Sequence, residues 1–135
     1  MKQSNISPKI IELSKKISKY FRMEIYEGCW VWDEYGDPQI KLLTQDEMAY
    51  LRTWSNEKYW FPIPSISDVL KKLDDLGFMW NFQRTDKGDY QFHIYPLPTW
   101  VVPRYRKNYF ETKDKHETVL LALLEVLRKK EAGSE

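Results

Sequence analysis

The sequence is poor in the residues from which several common functional sites are built. Its 135 residues include one cysteine, Cys29, two histidines and five glycines. A single thiol excludes an internal disulfide and a zinc site made of several cysteines. With so few glycines, the sequence has no phosphate-binding loop motif and no dinucleotide-binding fingerprint. We therefore expect no metal site and no cofactor.

Long hydrophobic runs are also missing. No stretch approaches the roughly eighteen apolar residues of a membrane span. The first residues, MKQSN, lack the apolar core of a signal peptide. We therefore expect a cytoplasmic protein that makes no contact with membranes.

Candidate catalytic side chains are scarce as well. A Cys–His nucleophilic pair would have to combine Cys29 with His93 or His116, and the sequence around these residues does not resemble a nucleophile turn. The acidic turn at residues 33–37 has neither EF-hand spacing nor an accompanying histidine. We expect Cys29 to be a small buried residue in a strand, and the protein to have no catalytic activity.

Aromatic residues, in contrast, are abundant. They make up 16% of the chain and include six tryptophans, whereas the hydrophobic fraction of 42% is ordinary for a globular protein. A chain of this length can bury about two thirds of its unfolded surface. We therefore predict one domain spanning residues 1–135, with a frayed tail at 131–135.

The clearest structural signal lies at residues 78–95, where two alternating segments flank a turn. A period of two indicates strands with one buried face, and Gly88 can adopt the positive φ that closes a hairpin. A three-residue loop would pair Phe82 with Phe92 and Trp80 with Ile94, which brings the alternating aromatic side chains to one face. We predict that this hairpin is the centre of a sheet.

Other elements are predicted around the hairpin from periodicity and capping residues. They are helices at 7–21, 65–77 and 114–130, strands at 23–33 and 40–43, and a short helix introduced by the capping pattern Thr44-x-x-Glu47. The prolines at 59–64 predict an extended link and not a central strand. The fold class is therefore α+β, with an antiparallel sheet of about four strands and helices on both faces, a helix/sheet/helix sandwich.

Three segments resemble a family of small phage and prophage proteins, the phage ABA-sandwich type. They are EIYEGCWVW at 24–32, WFP at 60–62 leading into the helix after Ser65, and ETVLLALL at 117–124. The resemblance covers residues 9–130, with an expected insertion at 35–56. It implies a layered helix, sheet and helix architecture and a phage or prophage origin, and it assigns no activity.

Binding of a partner protein is the function that we predict. Several aromatic and arginine residues fall in turn-like or extended segments, and such side chains, where exposed, are the usual anchors of interfaces. The alternative is that these segments fold back and bury them. The candidate partner-binding residues are Trp54, Tyr59, Trp60, Trp100, Arg104 and Arg106.

Two other associations are left open. The segment 100–110 interleaves cations with aromatic rings, so single-stranded nucleic-acid binding is the alternative function. The net charge of only +1 argues against it. The helix at 114–130 is apolar over so much of its surface that we expect burial on more than one side, either within the domain or in a homodimer.

Overall fold

The computed structural model describes residues 6–34, 38–53, 59–96 and 109–131. The chain divides into two compact units, Met1–Ser65 and Ile66–Glu135. The N-terminal unit contains α1 (Pro8–Tyr20), β1 (Trp30–Asp33), β2 (Gln39–Leu42), α2 (Gln45–Thr53) and β3 (Trp60–Ile63). The C-terminal unit contains α3 (Ile66–Asp75), β4 (Phe78–Arg84), β5 (Tyr90–Pro96), β6 (Tyr109–Thr112) and α4 (Lys115–Glu131).

In the N-terminal unit, β1 is the central strand of an antiparallel sheet with β2 on one side and β3 on the other. Val31 lies opposite Lys41 of β2 and Pro62 of β3. Proline donates no backbone hydrogen bond, which is tolerated here because β3 is an edge strand. Residues 60–63 of the segment predicted as an extended link therefore form a strand, and these four residues are buried.

The first helix, α1, begins as its sequence predicts. The hydroxyl oxygen of Ser7 accepts a hydrogen bond of 3.2 Å from the backbone N–H of Ile10. Pro8 occupies the first turn, where its missing N–H is not needed. Ile10, Leu13 and Ile17 recur on one side of α1 and are buried, and α1 packs on β3.

The expected insertion supplies β2 and α2, which complete the core of the N-terminal unit. Thr44 and Glu47 form the predicted capping box: the Thr44 hydroxyl accepts from the backbone N–H of Glu47 at 3.2 Å and donates to its carboxylate at 3.0 Å. One helical turn later, Leu51 reaches the core. The buried cluster of this unit consists of Cys29, Val31, Leu43, Leu51 and Trp60.

In the C-terminal unit, the predicted hairpin is confirmed in position and register. β4 and β5 pair Phe82 with Phe92 and Trp80 with Ile94. The turn closes through Gly88, whose φ is +86°. The third strand, β6, pairs antiparallel with β5.

Helices α3 and α4 contact each other and cover one face of this sheet, with α3 against β4 and α4 against β5 and β6. Phe92 and Ile94 of β5 are fully buried on this face. The carboxylate of Asp114 caps α4, because it accepts hydrogen bonds from the backbone N–H groups of His116 at 2.8 Å and Glu117 at 3.1 Å. This cap confirms the predicted start of the last helix.

The apolar residues of α4 from Val119 to Leu127 are buried within a single chain, except Leu121, which is half-buried, and this agrees with the prediction of burial on more than one side. Of the 17 residues of α4, nine are buried. No residue of α4 is among the exposed large hydrophobic side chains of the described chain. The helix therefore presents no exposed apolar stripe for the homodimer that was considered from the sequence.

The predicted sheet arrangement is wrong in one respect. The chain is α+β, but the described residues form two antiparallel sheets of three strands and not one larger sheet. Both edges of β1 are occupied by strands of its own unit, so β1 cannot extend the hairpin. The free edge of β5 is instead occupied by β6, which the sequence analysis did not identify as a strand. The predicted sandwich, with helices on both faces of one sheet, is not confirmed.

Candidate functional site

The structure describes two of the predicted partner-binding residues. Tyr59, immediately before β3, is 43% exposed, whereas Trp60 is 6% exposed. The expectation that Trp60 is an exposed contact residue is therefore corrected. The other candidates lie outside the described residues: Trp54, Trp100, Arg104 and Arg106.

Trp60 is buried although β3 is an edge strand, because α1 packs on this strand. Its side chain belongs to the buried cluster of the N-terminal unit. The guanidinium carbon of Arg22 lies 4.3 Å from the centroid of the indole ring, and Arg22 also donates a hydrogen bond to the backbone carbonyl oxygen of Trp60. The prolines near Trp60 indicated an extended link and not a central strand, and they mark the edge position of the strand.

The C-terminal sheet exposes a different set of aromatic residues. Side chains alternate between the two faces of a strand, so the residues between the buried positions share the face opposite α3 and α4. On that face Met79 is 48% exposed and Tyr109 is 43% exposed. We call this surface the open face, and its residues are Met79, Asn81, Gln83, Gln91, His93, Tyr95, Tyr109 and Glu111.

Three rings are neighbours on the open face. The ring of His93 is stacked with Tyr95, at a centroid distance of 6.3 Å and an interplanar angle of 9°, and with Tyr109, at 5.6 Å and 27°. Tyr95 is two residues along the same strand, and Tyr109 is the cross-strand partner of His93 on β6. Both relations place the side chains on one face. We call Tyr95, His93 and Tyr109 the ring row.

Hydrogen bonds fix the imidazole of His93 within the ring row. Nε2 of Gln91 donates to Oε1 of Glu111 at 2.7 Å, and Oε1 of Gln91 lies 3.2 Å from Nε2 of His93. Because the Gln91 oxygen can only accept, Nε2 of His93 carries the proton that it donates. The chain from Glu111 through Gln91 to His93 orients the ring, which also stacks with Tyr95 and Tyr109.

The open face is suited to stacking and hydrogen bonding and carries little positive charge. Its described members include one carboxylate, Glu111, two tyrosine hydroxyls and three side-chain amides, and none of them is a lysine or an arginine. Aromatic rings bury large areas at a small entropy cost, and tyrosine also offers a hydrogen-bonding hydroxyl. The arrangement therefore favours recognition of a planar or extended surface over the binding of isolated anions.

The only cysteine has a structural position, as predicted. Cys29 is buried immediately before β1, not within it, and its sulfur accepts a hydrogen bond of 3.4 Å from the backbone N–H of Tyr26. Across the described residues there is no group of three or more side chains that could hold a metal ion. In the same part of the chain, no helix has both the length and the apolar character needed to cross a lipid bilayer.

The sequence contained part of the signal for the open face. The alternation at Gln91, His93 and Tyr95 is the polar half of the pattern that located the hairpin, whose apolar half predicted the buried face. Tyr109 lies in the segment 100–110, which the sequence singled out, but its neighbour Phe110 is buried. The placement of Tyr109 beside His93 depends on the pairing of β6 with β5, which no local pattern revealed.

Comparison of the chain with protein-family models, with curated proteins and with solved structures finds no match in any of the three. The resemblance to the phage ABA-sandwich type stays a prediction from the residue pattern.

Proposed function

We propose that this chain is a non-catalytic protein that acts by binding a partner protein through the open face. The observation that carries the proposal is the ring row with the neighbouring Met79, a strip of aromatic and thioether side chains on an antiparallel sheet in which Met79 and Tyr109 are exposed and His93 and Tyr95 are half-buried. Tyrosine is enriched at the centres of protein interfaces. The side chain of Met79 is flexible and adapts to the shape of a partner.

Charge supports a protein over a nucleic acid as the partner. Proteins bind nucleic acids largely by neutralising phosphates with lysine and arginine. The open face has a carboxylate at Glu111 and no cationic side chain among its described residues. A polyanion on this surface would be repelled by the Glu111 carboxylate, with no cationic side chain among the described residues of the open face to offset the repulsion. A polar or weakly basic peptide surface would not be repelled.

Single-stranded nucleic acid is the second candidate, and one observation favours it. The three neighbouring rings of the ring row provide surfaces on which bases can stack. The chain between β5 and β6, which joins the strands that carry these rings, contains Arg104, Arg106 and Lys107 in its sequence. If these cations reach the same ligand as the ring row, they would supply the phosphate contacts that the open face lacks.

The wider role follows the resemblance and stays a proposal. A phage or prophage accessory protein acts by engaging a component of its host or of its own assembly, which agrees with a small binding module. The resemblance assigns no site, so the choice of the open face rests on the ring row and the exposure of Met79 and Tyr109.

The test replaces the outer rings of the ring row and follows binding and folding together. A tagged chain and its Tyr95→Ser/Tyr109→Ser variant are used to recover partners from a host lysate, with and without nuclease. The control is Tyr20→Ser/Tyr26→Ser, two exposed tyrosines of the N-terminal unit. We expect a protein that survives nuclease to be retained by the wild type and the control and lost with the ring-row variant.

Two other results would decide against the proposal. If the recovered protein binds the folded ring-row variant as well as the wild type, the open face is not its contact. If only nuclease-sensitive material is recovered, the second candidate replaces the first. In that case retention on single-stranded DNA should fall steeply as salt is raised, because bound phosphates release counterions.

A further inference from the structure

The N-terminal unit contains a cavity of about 200 Å³ between its sheet and α2. Its apolar side is formed by Val31 of β1, Leu43 after β2 and Leu51 of α2, all of which are buried. Its other lining residues are charged or aromatic: Asp33, Lys41, Asp46, Glu47 and Tyr50. The cavity is thus apolar at one side and polar at the other.

The sequence of α2 places four of these residues on one side of the helix. Asp46 and Tyr50 are four residues apart, and so are Glu47 and Leu51. Side chains at this spacing are neighbours on a helix surface. One face of α2 therefore carries two carboxylates, an aromatic ring and a leucine, and all four residues line the same cavity.

The charge at the cavity is negative after internal pairing. Lys41 Nζ lies 3.2 Å from Asp33 Oδ2, so these two charges offset each other. Both hydrogen bonds between Thr44 and the Glu47 carboxylate use Oε1. Asp46 makes no hydrogen bond or ion pair with another residue of the described chain. Asp46 and Glu47 therefore leave an excess of negative charge beside an apolar wall.

We propose that this cavity binds a primary alkylammonium group, the chemistry shared by a lysine side chain and a free alkylamine. The alkyl stem lies on Val31, Leu43 and Leu51, and the ammonium is directed at the carboxylates of Asp46 and Glu47. Tyr50, 57% exposed, forms the outer wall, where the face of its ring attracts a cation.

The size of the cavity fits a short chain. An apolar cavity of about 150 Å³ holds benzene, and n-pentylammonium has the same number of heavy atoms as benzene. Pockets for drug-sized molecules start at about 300 Å³. The site is therefore suited to a single side chain or a small amine. It lies in the N-terminal unit and is independent of the open face.

The experiment titrates the full chain with n-pentylamine near neutral pH, where the amine is protonated, and follows the methyl signals of Val31, Leu43 and Leu51 by NMR. Neutral n-pentanol and anionic pentanoate are titrated in parallel. We expect saturable shifts with n-pentylammonium in the millimolar range and much weaker binding of the other two. A second arm uses N-acetyl-lysine methylamide: its binding assigns the site to a lysine side chain, and its failure where n-pentylammonium binds assigns it to a free amine.

The negative charge of the cavity and its aromatic wall are removed in separate variants. Asp46→Asn/Glu47→Gln keeps the shape and a capping-competent residue at 47, and should weaken binding roughly tenfold. Tyr50→Ser should weaken it roughly fivefold. The matched controls, Asp75→Asn/Asp86→Asn and Tyr20→Ser, change exposed residues outside the cavity and should leave binding unchanged.

Several results would overturn the proposal. They are equal binding of n-pentanol, preferential binding of pentanoate, undiminished binding by Asp46→Asn/Glu47→Gln, or no saturable shift of the three methyl groups. Thermal unfolding of each variant is measured alongside, because carboxylates in the first turn also stabilise α2 through its dipole. Tyr50→Ser keeps both carboxylates, so it tests the site even if the double variant is destabilised.

Discussion

The guanidinium of Arg22 lies over the indole ring of Trp60, with 4.3 Å between the guanidinium carbon and the ring centroid. The same arginine donates a hydrogen bond to the Trp60 carbonyl oxygen. Arg22 follows α1 and Trp60 begins β3, so the pair joins the end of the helix to the strand on which it packs. A tryptophan held in this way acts in the core and not as a free surface anchor.

Replacing Trp60 with alanine should therefore unfold the protein more easily. Removal of a large buried aromatic side chain costs about 3–5 kcal/mol through lost burial and the cavity left behind. Urea denaturation of the variant measures this loss directly. Tyr59→Ala, at the exposed neighbouring position, is the matched control and should cost less than about 1 kcal/mol. A loss for Trp60→Ala as small as that of the control would contradict the core assignment.

The hairpin turn depends on the backbone of Gly88. Its φ of +86° is strained for residues with a Cβ atom, although an added Cβ would meet only Nη2 of Arg84, at 3.8 Å. The cost of Gly88→Ala should therefore come from the backbone alone, about 1–2 kcal/mol. Gly88→Asn should cost less, because asparagine tolerates this region better. Equal stability of wild type and Gly88→Ala by thermal unfolding would show that the turn adopts another conformation in solution.

The start of α4 depends on Asp114. Its carboxylate accepts from two backbone N–H groups, and its carbonyl oxygen accepts from the hydroxyls of Thr112 and Thr118. Asp114→Ala removes only the side-chain cap and should cost about 1–2 kcal/mol. Asp114→Asn keeps an acceptor and should recover most of that loss. If both variants lose the same stability, the charge of Asp114 and not its hydrogen bonding is what stabilises the helix.

Local signals in the sequence were sufficient for the helices and for the hairpin. Ser7, Thr44 and Asp114 each cap a helix through a side-chain oxygen, and such contacts span only three residues. The hairpin register, with Phe82 opposite Phe92, follows from a period of two and a short turn. These features depend on neighbours in the chain, which a single sequence displays.

Pairing between distant segments was not accessible in the same way. The structure has two sheets where one was predicted, because β1 pairs with residues 39–42 and 60–63. No local sequence pattern shows whether a strand pairs with these segments or with the hairpin. Trp60 was misplaced for the same reason, since its burial depends on Arg22 and on a cluster assembled from several elements. The ring row likewise needs β6 beside β5 before Tyr109 meets His93.

The exposed face of α1 carries a small charge network whose effect depends on pH. Glu12 lies 3.1 Å from Lys16 and 3.8 Å from Lys9, at spacings of four and three residues along the helix. The hydrogen bond from Lys16, together with the positive charges of Lys9 and Lys16, lowers the pKa of Glu12 below its usual 4.5. A carboxylate whose pKa is lowered on folding stabilises the folded state above its unfolded pKa, and this contribution is lost as the pH falls through the folded pKa.

The expected result is that the stability of the wild type falls more than that of Glu12→Gln as the pH is lowered below 4.5. A carboxyl ¹³C titration by NMR should place the pKa of Glu12 below 4.5 in the wild type and closer to 4.5 in Lys16→Met. High salt should reduce the difference, because these side chains are about half exposed and their charges are screened. A Glu12 titration that Lys16→Met leaves unchanged would show that the pair does not form in solution.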